Sequence, residues 1–316
     1  MTASAAVFAY HDVGVRCLSV LLAQGIDVRL VVTHRDDPGE NIWFASVERF
    51  ARGRGLATAT PDDPGAEAFV ATLRTIAPDY AFSFYYRRML PPAVLATAQH
   101  GAFNMHGSLL PKYRGRAPVN WAVLRGERET GATLHAMVEK PDAGGIVDQE
   151  AVTIGENDLA VDVFHRVTDA AERVLQRSLP RLLDGTAGLR PQDLASGSYF
   201  GARRPEDGRI DWSRPARAVH DLIRAVAPPY PGAFTTWDAR AARILRSWWS
   251  EPPPGMPSAG APGTVLVRDA RAYVRCGDGR WLEILEAELA GAGALAGPAL
   301  TAHLKACAAR MGESTA

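Results

Sequence analysis

Apolar residues come in short runs near the start of the chain, and these runs alternate with stretches of helical period. Residues 6–10 read as a buried strand. Cys17, Leu18, Leu21 and Leu22 share one face of a helix over 16–23 that Gly25 stops, with 11–14 as the loop before it. A β-branched run over 28–33 is a second strand, and turn residues at 35–40 lead into a helix over 46–52. Strands at 56–59, 80–84 and 102–105 are separated by helices over 66–76 and 93–97. Strands alternating with helices predict a parallel sheet covered on both faces. Further on, 135–138 and 147–154 read as strands. The strongest helical stretch is 159–183, with Val163, Val167, Ala170, Val174 and Leu182 at helical spacing and Gly185 as its stop.

The pattern changes near residue 200. A helix over 216–225 follows Asp211, Trp212 and Pro215, and then short strands dominate, at 233–237, 242–248, 263–268, 272–276 and 281–287. Asp278-Gly279 marks a hairpin, because such turns need positive φ. The proline-rich run over 251–263 is a surface loop between two strands. The expected fold class is therefore α/β. A doubly wound, mostly parallel sheet spans 1–200, a small OB-like β-barrel spans 201–305, and a tail occupies 306–316.

Composition narrows the function. The chain has 316 residues, 47% apolar and 22% charged, which is the make-up of a globular protein large enough for two domains. Lys plus Arg number 35 and Asp plus Glu number 35, so the surplus of cations typical of a nucleic-acid binder is missing, and none is expected as a partner. Cys17, Cys276 and Cys307 show neither a disulfide framework nor zinc-ligand spacing, and no metal is expected. No run approaches the roughly 20 apolar residues that cross a bilayer, and the first residues lack the features of a leader peptide. The expected location is the cytoplasm, without membrane insertion. The loop after the first strand, Tyr10-His11-Asp12-Val13-Gly14, has one glycine where a dinucleotide site uses three, which argues against NAD. No Gly-Lys-Ser/Thr supports ATP chemistry.

The candidate chemistry lies at the carboxyl end of a central strand, where open α/β sheets build ligand sites. The segment is Phe103-Asn104-Met105-His106-Gly107-Ser108-Leu109-Leu110-Pro111-Lys112-Tyr113-Arg114-Gly115-Arg116-Ala117-Pro118. Asn104 and His106 are two apart, so in a strand they face the same side. An amide can hold a developing oxyanion, and an imidazole can take a nucleophile's proton and pass it to a leaving group. That pairing suits attack by a neutral nucleophile on a carbonyl-type carbon. A carboxylate would support such a histidine, and Asp142, followed by Gly144-Gly145, is the candidate. Lys112, Arg114 and Arg116 form a basic cluster beside the strand, fit for a diphosphate or a polyglutamate tail. Ser108 lacks the surroundings of a hydrolase nucleophile. Tyr10, His11 and His34 sit at strand ends on the ligand side. His135 and His165 read as structural.

These motifs carry a resemblance. Asn104-Met105-His106-Gly107-Ser108-Leu109-Leu110-Pro111, then Arg114-Gly115-Arg116-Ala117-Pro118 and Asp142, closely resemble the folate-dependent formyltransferases over nearly the whole chain, the C-terminal barrel included. Ala9-Tyr10-His11-Asp12, Thr33-His34-Arg35-Asp36-Asp37-Pro38-Gly39-Glu40 and Phe82-Ser83-Phe84-Tyr85-Tyr86-Arg87 look like the branch acting on UDP-4-amino-4-deoxy-L-arabinose, part of lipid A modification. The methionyl-tRNA branch is similar around Ser108-Leu109-Leu110-Pro111 but usually carries a small residue at the position of Arg116. The resemblance implies Asn104 as transition-state stabiliser, His106 as acid/base and Asp142 as the residue that tunes it. It implies 10-formyltetrahydrofolate as co-substrate, in contact with Arg88, Met89, Leu90, Arg116 and the stretch Val138, Glu139, Lys140, Pro141 and Asp142. The acceptor it implies is a nucleotide sugar, with Tyr10, His11, Lys112 and Arg114 as candidate contacts. The competing acceptors are an aminoacylated tRNA, another nucleotide amino sugar, and water. The oligomeric state stays open.

Overall fold

The structure, a computed structural model, describes residues 2–237 and 240–306. Cys307 and the expected tail, Ala306 excepted, lie outside the described residues. In chain order the first elements are β1 (Ser4–Ala9), α1 (His11–Ala23), β2 (Asp27–Val32), α2 (Val47–Arg52), β3 (Thr58–Ala59), α3 (Glu67–Ile76), β4 (Tyr80–Phe84) and α4 (Pro92–Leu95). There follow β5 (Ala102–His106), β6 (Arg114–Gly115), α5 (Pro118–Leu124), β7 (Glu129–Ala136), β8 (Ile146–Thr153), α6 (Ala160–Leu183) and β9 (Tyr199–Phe200). Beyond them come α7 (Ala216–Val226), β10 (Ala233–Trp237), β11 (Arg240–Trp248), β12 (Val265–Arg268), β13 (Arg271–Arg275), β14 (Trp281–Leu289), β15 (Gly293–Ala296) and α8 (Gly297–Ala306).

The chain divides into two compact units. The first runs from the described start to Pro118 and includes Glu129–Val152 and Phe164–Gly201. The second gathers Val119–Arg128, Thr153–Val163 and the described residues from Ala202 onward.

In the first unit a seven-stranded sheet has the order β3-β2-β1-β4-β5-β7-β8. β3, β2, β1, β4 and β5 pair in parallel, and β7 joins β5 antiparallel. Every residue of β1 and of β4 is buried, as expected of central strands covered on both faces. Ala6, Phe8, Leu30 and Val32 pack against Val70 and Leu73 of α3 and Val94 of α4. Strand order reverses between β1 and β4, so the crevice at the carboxyl ends of β1, β4 and β5 is where this topology places a ligand.

One local expectation is corrected. Residues 11–14 are not a loop: α1 starts at His11, which has φ 68°. Gly14 sits in its first turn because the helix lies close to its neighbours there. A Cβ at Gly14 would come within 2.9 Å of Val47 Cγ2 and 3.2 Å of Ala9 Cβ. The glycine is a packing residue, not a turn residue.

In the second unit β10-β11-β14-β13-β12 form one antiparallel sheet, with β15 on the same β14. α7 buries Val219, Ile223 and Val226, and with them the charged Asp221 and Arg224. Arg224 is 1% exposed; its Nε donates to Asp221 Oδ1 at 2.7 Å, and its other nitrogens donate to the carbonyls of Gly155, Asp158 and Val123. This one guanidinium joins both earlier segments to α7. His220 adds to the tie, with Nε2 donating to the Glu156 carbonyl at 2.9 Å and Nδ1 at 2.8 Å from Ser247 Oγ. Among the described residues no helix is long and apolar enough to cross a membrane.

Candidate active site

β5 ends on the residues singled out from the sequence. Its register sets Asn104 beside Ser83 of β4 on one side and opposite His135 of β7 on the other; His106 lies opposite Thr133. The alternation of a strand turns Asn104 and His106 to the same face. Asp142 reaches that face from the turn between β7 and β8, where its backbone takes φ 51°. Gln192 Nε2 anchors the turn by donating to the carbonyls of Asp142 (3.0 Å) and Gly144 (2.7 Å). Gly144 is required here, since a Cβ would collide with the Ala136 carbonyl.

Three side chains converge on one carboxylate oxygen. Asp142 Oδ1 is 3.6 Å from His106 Nδ1, 3.5 Å from His135 Nε2 and 3.5 Å from Asn104 Nδ2. These separations are electrostatic contacts more than full hydrogen bonds. The second oxygen, Oδ2, accepts the Gly115 backbone N–H at 2.8 Å. Burial works against the charged carboxylate, but His106, His135 and the Gly115 N–H outweigh it and hold Asp142 well below the usual carboxylate range.

The loop after β5 fixes the other side of His106. Its Nε2 lies 2.8 Å from the Tyr113 carbonyl, which can only accept, so Nε2 carries a hydrogen and Nδ1 is the nitrogen turned toward Asp142. Residues 198–200 strap this loop. Ser198 Oγ accepts the Tyr113 N–H at 2.8 Å, the Tyr113 and Phe200 rings stack at 5.2 Å, and β6 pairs with β9 in parallel. Ser108 spends its hydroxyl on the Lys112 carbonyl at 2.6 Å, closing the turn. Chemically, the site offers a proton acceptor at His106 Nδ1, a carboxylate behind it, and an amide N–H donor alongside.

The remaining expected residues fall into distinct surroundings. Arg114 is 8% exposed, and its buried Nε has no hydrogen-bond partner. Among the described residues neither Arg114 nor Arg116 is paired with a carboxylate; Arg116 and Lys112 are exposed. Arg88 is exposed and donates to the carbonyls of Pro61 and Asp62. Met89 and Val138 stand out apolar and exposed, Glu139 and Lys140 are exposed, and Pro141 is half-buried. Leu90 packs into the core, which leaves its backbone as the part that could meet a ligand.

Tyr10 and His11 belong to an aromatic cluster at the ends of β1, β2 and β4. Tyr10 OH donates to Asp36 at 3.0 Å under the Arg87 guanidinium, which forms a two-pronged pair with Glu40. His11 stacks on Phe44 with centroids 3.8 Å apart and meets Trp43 and Phe164 edge-on. Burial, then the charges of Arg87 and His165, push His11 down to about 3. Burial, then Arg88, Arg87 and Arg116, push His34 down to about 4. Both rings are therefore neutral near pH 7. Their contacts are within this cluster, and none is with Asn104, His106 or Asp142. His165 is exposed on α6.

Sequence reasoning assigned His135 to structure. The fold instead puts it against Asn104 and Asp142. The signal for it is the antiparallel register of β5 and β7, which the sequence does not print. Among the described residues no group of three or more His, Cys, Asp or Glu is arranged to hold a metal ion.

A doubly wound sheet with an Asn–His–Asp constellation at the end of a central strand, followed by an antiparallel β domain, defines a class of group-transfer enzymes. The chain belongs to the formyl transferase family: the family's model matches residues 17–179, and that of the formyl transferase C-terminal domain matches 203–304. It is a formyltransferase. Similar solved structures include an N-formyltransferase from Helicobacter canadensis in complex with folinic acid and dTDP-3-aminofucose, 20% identical with TM-score 0.68 over 90% of this chain and 99% of that one. A 4-N formyltransferase from Francisella tularensis is 19% identical with TM-score 0.61, over 73% of this chain and 91% of that one. HypX from Aquifex aeolicus in complex with tetrahydrofolic acid is 18% identical with TM-score 0.62; the match covers 94% of this chain and 46% of that one. At these identities the likeness is one of fold.

Proposed function

We propose that the protein transfers the formyl group of 10-formyltetrahydrofolate to the amine of a nucleotide-linked amino sugar, with the 4-amine of UDP-4-amino-4-deoxy-L-arabinose as acceptor. That acceptor would make it a lipid A modification enzyme contributing to polymyxin resistance. The observation that carries the reading is the convergence of Asn104, His106 and Asp142 at the end of β5, a few residues from a buried arginine without an acidic partner. The folate suits the exposed apolar Met89 and Val138, which offer cover for a planar ring, with Arg116 available for its carboxylates. Arg114 suits a diphosphate, a charge-assisted partner for a guanidinium whose buried Nε has none. Neighbours of the same fold are described with dTDP-3-aminofucose and as a 4-N formyltransferase, which favours an amino-sugar acceptor over tRNA or water.

In this mechanism His106 Nδ1 removes a proton from the amine as its nitrogen bonds to the formyl carbon. Asn104 donates an amide N–H to the oxygen that gains negative charge. Asp142 stabilises the imidazolium, and His106 then returns the proton to the folate nitrogen as its bond to the formyl carbon breaks. Atoms balance: the amine loses a proton, and tetrahydrofolate leaves with one.

The test is release of tetrahydrofolate from 10-formyltetrahydrofolate with UDP-4-amino-4-deoxy-L-arabinose, with a dTDP-linked amino sugar, with methionyl-tRNA, and with no acceptor. Release that depends on the UDP-sugar supports the proposal. Preference for the dTDP-sugar would keep the chemistry and change the base. Release with tRNA alone, or equally without acceptor, would overturn it.

A further inference from the structure

We propose that His135 is a positioning residue that fixes the orientation of the Asn104 amide. Its bare Nε2 accepts one amide hydrogen and so directs the other toward the reaction space beside Asp142. The inference rests on the formyl-transfer reading above and adds a fourth side chain to the three that reading uses.

An asparagine amide has two faces of nearly equal shape, one donating and one accepting. A catalytic amide that must donate to an oxyanion therefore needs something to prevent its rotation by half a turn. The β5–β7 register supplies it, because Asn104 and His135 are directly opposed. His135 Nδ1 lies 2.8 Å from the Ala136 carbonyl. A carbonyl only accepts, so Nδ1 carries the hydrogen and Nε2 presents its lone pair to Asn104, with Asp142 Oδ1 3.5 Å from the same nitrogen. That lone pair is 3.1 Å from Asn104 Nδ2. Rotating the amide would set its oxygen against the lone pair, two acceptors facing each other in a buried place.

The ring itself cannot turn away. His135 is 1% exposed, and its Nδ1 bond would be lost on rotation. With one hydrogen committed to His135, the second N–H of Asn104 points to the space bounded by Asp142 Oδ1, 3.5 Å from Nδ2. That is the side on which His106 Nδ1 also opens. The amide donor and the proton acceptor thus share one reaction space because a third residue, on the neighbouring strand, holds the amide.

Loss of the lone pair should cost part of what loss of the donor itself costs, which for an oxyanion donor is about a hundred- to a thousandfold in kcat. His135→Leu is expected to lower kcat about ten- to a hundredfold with KM for both substrates within about twofold. His135→Gln, whose carbonyl oxygen can accept from Asn104, is expected to recover most of the loss. Asn104→Ala with His135→Leu should be no slower than Asn104→Ala alone, since nothing remains to be oriented. Unchanged kcat in a folded His135→Leu, or losses that simply add in the double variant, would overturn the proposal.

A readout independent of turnover is nitrogen-15 NMR of the wild-type protein near neutral pH. It should show His135 hydrogen-bearing at Nδ1 and bare at Nε2. The opposite tautomer would overturn the proposal even if the variants fail to fold. If the wild type formylates no nucleotide amino sugar, the functional reading fails, and the tautomer still decides the role of His135.

Discussion

Replacing Asp142 by asparagine removes one charge while keeping the shape and an oxygen for the Gly115 N–H. In the wild type the carboxylate oxygen is 3.6 Å from His106 Nδ1, with 7% and 15% of the two side chains exposed. At that separation and an effective dielectric of about 20, a carboxylate and an imidazolium attract by about 4–5 kcal/mol. In the proposed mechanism this attraction exists only while His106 holds the amine's proton, so it would act on the transition state more than on the bound substrates. Each 1.36 kcal/mol is about tenfold in rate, which sets a ceiling of about three orders of magnitude. Local relaxation and the retained amide dipole reduce this, and kcat should fall by about two to three orders with KM little changed. The assay is tetrahydrofolate release at saturating acceptor, beside a thermal melt to show that the variant is folded. A folded Asp142→Asn enzyme within tenfold of wild-type kcat would refute the assignment. The same substitution has an acid-side signature. Because Asp142 is held below its ordinary 3.8, its charge contributes stability above that pH and the contribution disappears as pH falls through the lowered value. The Asn variant should therefore lose stability less steeply below about pH 4 than the wild type does.

Arg114→Met keeps the buried stem and deletes the guanidinium; it should raise KM for the nucleotide sugar about ten- to a hundredfold with kcat within a few-fold, and an unchanged KM would remove Arg114 from the site. Gly144→Ala drives a Cβ into the Ala136 carbonyl and should lower both melting temperature and turnover by displacing the Asp142 turn, whereas Gly188→Ala, with no atom within 4 Å of the added carbon, should leave both unchanged. His220 is fully buried and burial lowers it to about 4 from 6.5. The unfolded chain therefore takes the proton first, and stability should fall by about 3 kcal/mol between pH 6.5 and 4, measured by urea melts. In His220→Gln that part of the slope should vanish, and an equal slope in variant and wild type would contradict it.

Much of the first unit was legible because its strands are buried on both faces and its helices on one. Continuous apolar runs such as Val7 to Ala9 and the period of Val167, Ala170 and Val174 both follow from that. The site was legible as far as it lies on one stretch of chain: Asn104 and His106 share a face because any strand alternates. Asp142 was the candidate carboxylate from its own stretch of chain and again by resemblance, and the fold sets its Oδ1 3.6 Å from His106 Nδ1. What was not legible depends on contacts distant in sequence. Residues 11–14 read as a loop because the close neighbour that explains Gly14, Val47, is 33 positions away. β6 and β9 are two residues each and exist only because Ser198 and Phe200 meet the loop after β5. The segments 119–128 and 153–163 join the C-terminal unit through the buried Arg224, whose partners no local pattern announces. His135 read as an ordinary strand residue because its role depends on which residue of β5 it faces.

The most direct measurement uses 10-formyltetrahydrofolate labelled with carbon-13 in the formyl group, incubated with the enzyme and UDP-4-amino-4-deoxy-L-arabinose, with the products separated and read by NMR and mass spectrometry. The account predicts that the label appears as a formamide carbon bonded to the sugar's 4-nitrogen, in step with tetrahydrofolate release, and that the label stays on the folate in the His106→Ala variant. Label recovered as free formate, or transferred only to methionyl-tRNA while the sugar amine stays unmodified, would contradict it.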